Sequence, residues 1–379
     1  MNSVKKILFI TGTRADYGKM KTLMKELDND SNFEVYIFVC GMHLSETFGS
    51  TYREVKKDGY KNVYVAFGLL QTPNTSVNLG NTISHLTGYV ENIKPNMIVV
   101  HGDRMDALAG AVVGALHNII VAHIEGGELS GTIDESIRHA ISKFAHAHFV
   151  CTEEAKNRLI QLGEESERIY VIGSPDIDVM LGNGLPSLEV AKERYEIPYS
   201  NYGVLMYHPV TTEYDFIGEK IKVLVDAIIG SGKNYIVVYP NNDLGSEVIL
   251  NEYKRFHELN RMRVFPSLRF EYFLTLLKHA DFIIGNSSAG IRESGIYGIP
   301  AIDIGTRQNS RYSTAHLTNI QHVMECKEEI LTAIENVEQY RNVSSFFGSG
   351  NSTEQFMNIV RCDEFWHTKI QKKFVDYDI

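Results

Sequence analysis

The sequence predicts an α/β protein made of two consecutive Rossmann-like halves, each built on a parallel sheet, and three observations carry that reading. Short β-branched or apolar runs alternate with helical patterns along nearly the whole chain. Runs such as Met97-Ile98-Val99-Val100 are apolar at every position, so the strands they form are covered on both faces, which is the mark of a parallel sheet. A chain of 379 residues also exceeds what one hydrophobic core ordinarily supports, so two domains are expected.

In the first half the strands are expected at Lys6–Ile10, Glu34–Val39, Met97–His101, Ile119–Ile124, Ala147–Cys151 and Arg168–Ile172. Helices between them include Tyr17–Leu27, Met105–Leu116, Ile133–Phe144 and Glu153–Leu162. From Gly173 to Pro198 the character changes: Gly173, Pro175, Gly182, Gly184, Pro186 and Pro198 punctuate the stretch, which reads as a linker. A second series follows, with strands at Gly203–Tyr207, Asn234–Tyr239, Met262–Phe265, Asp281–Ile284 and Pro300–Asp303. The tail, Glu364 to Phe374, reads as one final helix.

Hydrophobic residues make up 44% and charged residues 22%, an ordinary globular composition. No apolar run approaches the roughly 18 residues that span a bilayer. Met1 to Lys6 lead straight into the first strand without the features of a cleavable signal. Cys40, Cys151, Cys326 and Cys362 are scattered with no CxxC pair, which fits a reducing cytoplasm and suggests neither a disulfide framework nor a cysteine zinc site. A net charge of −10 argues against nucleic-acid and anionic-membrane partners. It does not argue against a small anion, which backbone amides and one or two arginines can hold.

In open parallel sheets ligands bind beyond the carboxyl ends of the strands. The segments there are polar and rich in glycine: Thr11-Gly12-Thr13-Arg14-Ala15-Asp16, His101-Gly102-Asp103-Arg104, His123-Ile124-Glu125-Gly126-Gly127-Glu128, His208-Pro209-Val210-Thr211-Thr212, Gly285-Asn286-Ser287-Ser288-Ala289-Gly290 and Gly305-Thr306-Arg307. The turn at Gly285 to Gly290 suits a diphosphate, because small residues admit a ligand to the backbone and a helix over Ile291–Tyr297 presents free N–H groups and its positive end. It is neither a Walker A loop nor GxGxxG, so NTP hydrolysis and NAD binding lose support and no cofactor is expected. Glu293, one turn on, is placed to accept hydrogen bonds from ribose hydroxyls, or else is a carboxylate that merely favours the helix dipole. Asp103, Glu125 and the pair Asp134/Glu135 are the acid–base candidates. Carboxylates that converge on one site cannot all stay ionised cheaply, which yields both an acid and a base near neutral pH. Asp134 and Glu135 also read as plain first-turn helix charge. His101 and His123 are either supports for the acidic positions or packed strand-end histidines, whereas His208 stands at the mouth of its strand. His146-Ala147-His148 shares a face but has no third ligand pattern nearby, so no metal is expected.

Taken together, these segments resemble the hydrolysing UDP-N-acetylglucosamine 2-epimerases, most closely the NeuC/SiaA type of bacterial sialic acid synthesis. The likeness runs in the same order and with similar spacing from residue 5 to the C-terminus. It implies a GT-B fold: two Rossmann-like domains facing across a cleft, the first at 1–175 and joined by a C-terminal helix over 364–379, a linker at 176–198, and a UDP-binding domain at 199–363. It also implies a UDP-sugar substrate and a homodimer or homotetramer. Asp103, Glu125 and Asp134 match the family's catalytic carboxylates, with Glu135 the alternative to Asp134, and His208 matches the histidine at the cleft. Arg14 matches an arginine on the phosphate side, Ser287, Ser288 and Gly290 the diphosphate turn, and Glu293 the ribose-binding glutamate; Arg307 stands with the UDP-binding residues. Many non-hydrolysing relatives hold a second UDP-GlcNAc with a Gln-His pair after the second strand. The corresponding segment is Cys40-Gly41-Met42-His43, and Met42 lacks the amide such a site requires.

The implied reaction converts UDP-GlcNAc and water to UDP and N-acetylmannosamine. The nearest rival is the same chemistry on a UDP-2,4-diacetamido-2,4,6-trideoxyhexose. A GT-B glycosyltransferase would share the diphosphate turn and Glu293 but has little use for three carboxylates in the first domain. The same carboxylates count against a non-enzymatic UDP-sugar sensor.

Overall fold

The computed structural model describes residues 4–376 apart from 71, 73, 131, 310 and 314. The chain divides into two compact units, the first comprising 1–128, 134–182 and 347–379 and the second 129–133 and 183–346.

In the first unit the strands are β1 (Lys5–Thr11), β2 (Phe33–Val39), β3 (Asn62–Val65), β4 (Met97–His101), β5 (Ile120–Ile124), β6 (Ala147–Val150) and β7 (Ile169–Val171). They lie in the order β3-β2-β1-β4-β5-β6-β7, with every pairing parallel. Every residue of β4 and β5 is buried, as the uninterrupted apolar runs require. Alternate residues serve two cores. Ile7 and Phe9 face Met20, Leu23, Met24 and Leu27 of the helix Arg14–Asp28 and Phe356, Met357 and Val360 of the helix Ser352–Val360. Leu8 and Ile10 point the other way, toward Leu86, Val90, Ala111 and Val113. Each such fully buried side chain contributes about 1.5–3 kcal/mol relative to exposure.

The second unit repeats the plan with β8 (Gly203–Met206), β9 (Tyr235–Val238), β10 (Met262–Phe265), β11 (Phe282–Gly285), β12 (Ala301–Ile304) and β13 (Ile320–Val323), ordered β10-β9-β8-β11-β12-β13 and parallel throughout. Both sheets reverse strand order beside their first strand, between β1 and β4 and between β8 and β11. Loops leaving those strands therefore diverge to opposite faces and leave a crevice for a ligand.

Some boundaries differ from the sequence expectation. Edge strands β3 and β13 were not anticipated; β3 is half-buried along its length and β13 carries Gln321 and His322, so neither shows a continuous apolar run. The expected linker at 176–198 contains the helices Pro175–Leu181 and Leu188–Arg194, and the first unit extends to Gly182 rather than ending at residue 175. Pro175 does not break structure there. It occupies the first turn of a helix, where its missing N–H costs nothing. The chain returns to the first unit at Phe347, well before residue 364, and the helix that packs on that unit is Ser352–Val360. Over the expected helix 364–374 there is only a short 3-10 turn, Asp363–His367, since Phe365 and Trp366 each seek the core separately; residues 377–379 of the expected 364–379 segment lie outside the described residues. Among the described residues no helix is long and apolar enough to cross a membrane.

Candidate active site

At the end of β1 the chain must turn sharply into a helix, and Asp16 organises the turn. Its carboxylate accepts from the Thr11 hydroxyl at 2.8 Å and from the Gly12 and Thr13 amides at 3.0 Å each, while Thr13 caps the helix in return. Arg14 leaves this turn and forms a forked ion pair with Glu54, at 2.9 and 2.6 Å. Thr11 donates to Asp16, so its oxygen accepts from Nε2 of His43 at 3.0 Å, and Nδ1 of His43 accepts from Thr51 at 2.6 Å. Burial lowers the His43 pKa to about 4, so the ring is neutral at pH 7 with both nitrogens engaged within the fold.

Asp103 follows β4 through Gly102, whose φ of 70° suits glycine and whose amide bonds to Ile124. Its carboxylate pairs with Arg138, a buried guanidinium on the helix Ile133–Phe144 that also donates to the Glu128 carbonyl at 3.1 Å. Burial works against the Arg138 charge, but Asp103, Glu128, Glu125 and Asp134 together outweigh it and hold the group firmly protonated. His123 supports this loop from below. The Gly102 carbonyl can only accept, so Nε2 carries the proton at 2.8 Å, and Nδ1 takes the Ser142 hydroxyl proton at 3.1 Å. Burial pushes its pKa down to about 3, consistent with that fixed neutral tautomer.

Glu125 is buried immediately after β5, and its φ of 62° is left-handed, a conformation few non-glycine residues adopt. That twist turns its side chain into a polar cluster. Ser174 donates to its Oε1 at 2.7 Å, His101 Nε2 lies 3.3 Å away and Lys19 Nζ 3.8 Å away. Lys19 is in turn 3.3 Å from Asp176. Glu135 turns to His139, 4.0 Å away on its own helix, whereas Asp134 adds to the field at Arg138.

In the second unit the crevice beside β8 is laced by Asn286. Its side-chain oxygen accepts the His208 amide at 2.6 Å and its NH2 donates to the His208 carbonyl at 2.9 Å, so one residue of the β11 loop clamps the β8 loop. Gly285 must be glycine, because a Cβ would lie 2.0 Å from the Met206 carbonyl oxygen at a φ of 131°. The Asn286 carbonyl accepts from Arg307 at 3.3 Å and Gln308 at 2.8 Å. His208 accepts the Asn241 amide on Nδ1 at 3.0 Å, so in the neutral ring Nε2 carries the proton.

The expected helix Ile291–Tyr297 is shorter, a 3-10 turn Ser288–Gly290 followed by Glu293–Ile296. The amides of Gly290, Ile291 and Arg292 close that turn on Ser287 and Ser288 carbonyls, and the Ala289 amide meets the Ser287 hydroxyl at 3.3 Å. The row of free N–H groups expected there is thus largely spent on the turn, because 3-10 closure uses donors that an α-helix start leaves open. Glu293 is buried, with Ser294 beside it held by Asn319.

A family model described as UDP-N-acetylglucosamine 2-epimerase matches residues 25–361. This chain belongs to that family. It is 45% identical to a UDP-N-acetylglucosamine 2-epimerase of Neisseria meningitidis serogroup B, over 99% of this chain and 100% of the relative. It is 31% identical to a hydrolysing UDP-N,N'-diacetylbacillosamine 2-epimerase of Legionella pneumophila, over 94% of this chain and 96% of that one. Among solved structures, the UDP-GlcNAc 2-epimerase of Methanocaldococcus jannaschii in complex with UDP-GlcNAc and UDP aligns with a TM-score of 0.80 at 24% identity, covering 94% of this chain and 99% of that one. That likeness shows the fold, two Rossmann-like domains of the GT-B type.

For this epimerase-family chain, the residues anticipated from sequence fall into two groups. Asp103, Glu125 and Asp134 share the field of Arg138 in the first unit. His208, Ser287, Ser288, Gly290 and Arg307 gather around Asn286 in the second, with Glu293 one turn beyond. Lys19, Arg138, Ser174 and Asp176 were missed. Lys19 and Arg138 sit on the buried stripes of their helices, where a charge is out of place unless paired. Gly173-Ser174-Pro175-Asp176 follows β7 as the other polar segments follow their strands, but its glycine and proline read as linker punctuation. Among the described residues no group of three or more His, Cys, Asp or Glu is arranged to hold a metal ion.

Proposed function

We propose that this protein is a hydrolysing UDP-N-acetylglucosamine 2-epimerase that releases UDP and free N-acetylmannosamine. The observation that carries the reading is the carboxylate cluster of the first unit: part-buried Asp103 on the buried Arg138, and buried Glu125 among Ser174, His101 and Lys19. The C-2 proton of the sugar is not acidic, since no carbonyl adjoins that carbon. As the C-1–oxygen bond breaks and its electron pair leaves on the β-phosphate of UDP, C-1 gains oxocarbenium character and C-2 becomes acidic. A carboxylate removes the C-2 proton and the C-1–C-2 double bond of 2-acetamidoglucal forms. Water then adds its hydroxyl at C-1 and a proton returns to C-2 on the opposite face. Asp103, Glu125 and Asp134 supply these proton transfers; Glu135 is the alternative to Asp134, and the part Asp134 takes in the field at Arg138 favours Asp134. In this reading Arg14, His208, Arg307 and the hydroxyls of Ser287 and Ser288, on the turn closed by the Gly290 amide, meet the departing diphosphate, and Glu293 binds ribose.

Incubation of UDP-GlcNAc in D2O tests the reaction: N-acetylmannosamine should carry one deuterium at C-2. Retained protium rules out elimination, and N-acetylglucosamine alone means a simple hydrolase. The elimination requires neither hydride transfer nor a Lewis acid, so turnover should survive EDTA and dialysis; recovery only on adding Mg²⁺ or Zn²⁺ overturns that. The Legionella likeness favours a second substrate, a UDP-diacetamido-trideoxyhexose. Assaying the two nucleotide sugars side by side separates them. The same reading makes the protein a cytoplasmic homodimer or homotetramer serving sialic acid or a related nonulosonic acid, and light scattering reads the assembly.

A further inference from the structure

We propose that Asp176 is a positioning residue that keeps Lys19 neutralised through the reaction cycle and thereby sets how readily Glu125 exchanges its proton; this rests on the acid–base role proposed above for Glu125. Lys19 is nearly inaccessible, with 9% of its side chain exposed, and its ammonium lies 3.3 Å from Asp176 and 3.8 Å from Glu125. A buried ammonium requires a permanent partner. Were Glu125 that partner, each protonation of Glu125 would strand the lysine, and the carboxylate would resist taking up a proton. Asp176 is the nearer carboxylate, and its side chain is only 1% exposed. It neutralises Lys19 whatever the state of Glu125, which is left free to gain and lose a proton.

The local sequence supports the arrangement. Ser174 and Asp176 lie on one segment, so the O–H donor to Glu125 and the counter-ion of Lys19 move as a unit. That segment is held by the Ser174 amide on the Phe347 carbonyl at 2.8 Å and by Pro175 opening a helix. Among the described residues, the charged and titratable groups facing Glu125 include Lys19 from the first helix, His101 from β4, Arg138 from the helix after β5, and Asp176 through Lys19. Replacing Asp176 by a neutral amide removes a negative charge and gives Lys19 wholly to Glu125. Both effects favour ionised Glu125.

The direct test is a pH titration of the Glu125 side-chain carbon in full-length protein carrying ¹³C-carboxyl glutamate, assigned by its loss in Glu125→Gln. Asp176→Asn should lower the midpoint by about one to two pH units, Lys19→Met should raise it, and Asp176→Glu should return it near the wild-type value. An unchanged midpoint in folded Asp176→Asn overturns the proposal. Should that variant not fold, Lys19→Met decides: a Glu125 midpoint that it leaves unmoved or lowers overturns the proposal. These readouts do not depend on turnover. A wild-type protein inactive on both nucleotide sugars sinks the proposed function and leaves the titration to decide this one. In active protein, Asp176→Asn should lower kcat about tenfold, leave KM within about twofold and shift the Glu125 limb of the kcat–pH profile downward. A lower kcat with an unmoved profile marks Asp176 as merely structural.

Discussion

The two units share a sheet plan but furnish their strand ends by different chemistry. In the first, the groups at the carboxyl ends are ionisable and held by one another: Asp103 by Arg138, Glu125 by Lys19 and His101, Lys19 by Asp176. In the second, the loops beside β8 and β11 are bound by the neutral amide of Asn286, by backbone carbonyls and by a tight 3-10 turn. A buried ionic network has proton affinities that neighbours tune, which acid–base work requires. The amide of Asn286 and the small residues beside it carry no charge to titrate, which suits holding a diphosphate. The contrast extends to histidines. His43 and His123 in the first unit are buried and neutral, with pKa values lowered to about 4 and about 3, whereas hydrogen bonding to Asp303 raises that of His322 in the second.

Breaking the first unit's network should have the largest effect. Asp103→Asn or Glu125→Gln should lower kcat by roughly 10²–10⁴-fold while UDP affinity, read by calorimetry, changes little. If either variant abolishes UDP binding instead, the division of labour is wrong. The complementary substitution, Glu293→Ala, should weaken UDP binding by about 1.5–3 kcal/mol through loss of a charge-assisted hydrogen bond. Unaltered UDP affinity there would remove the nucleotide from this residue.

Acid stability sharpens the comparison further. A histidine with a lowered folded pKa stabilises the fold above its unfolded value of 6.5, and that contribution is lost as pH falls toward the folded pKa. His43 and His123 should therefore each cost the first unit up to about 1.4 kcal/mol per pH unit between pH 6.5 and about 4. His322 acts with the opposite sign: its contribution is present below 6.5 and is lost as pH rises through its raised value. Amide exchange followed at pH 7 and pH 5 should show protection falling in the Thr11–Asp16 turn and not around Asp303. Parallel loss in both regions would contradict the sign difference.

The smallest expected effect is the absence of one. His43 spends both ring nitrogens on Thr11 and Thr51, and the Met42 sulfur accepts from Arg104 at 3.8 Å. Initial rates against UDP-GlcNAc should be hyperbolic, without lag or activation by substrate. Sigmoidal rates would mean that an effector is held by other residues.

Much of this was legible along the chain. Uninterrupted apolar runs announced β4 and β5 as doubly covered strands, and the polar, glycine-rich segments after successive strands located both candidate sites. The edge strands were less visible because one open side relaxes the demand for apolar residues. The segment after β7 was misread because Gly173 and Pro175 punctuate a linker and a helix start equally well. By itself, then, the sequence determined the parallel α/β class, the pair of halves and the identity of the acidic and small residues at the strand ends, since periodicity and local turn chemistry are one-dimensional properties. Only the tertiary structure decided the partnerships: Arg138 with Asp103 across 35 residues, and Lys19 with Glu125 and Asp176 across three separate elements. Whether a charge on a buried helix stripe is an error or a counter-ion depends on what the sheet order brings beside it, and that order is a property of the folded chain.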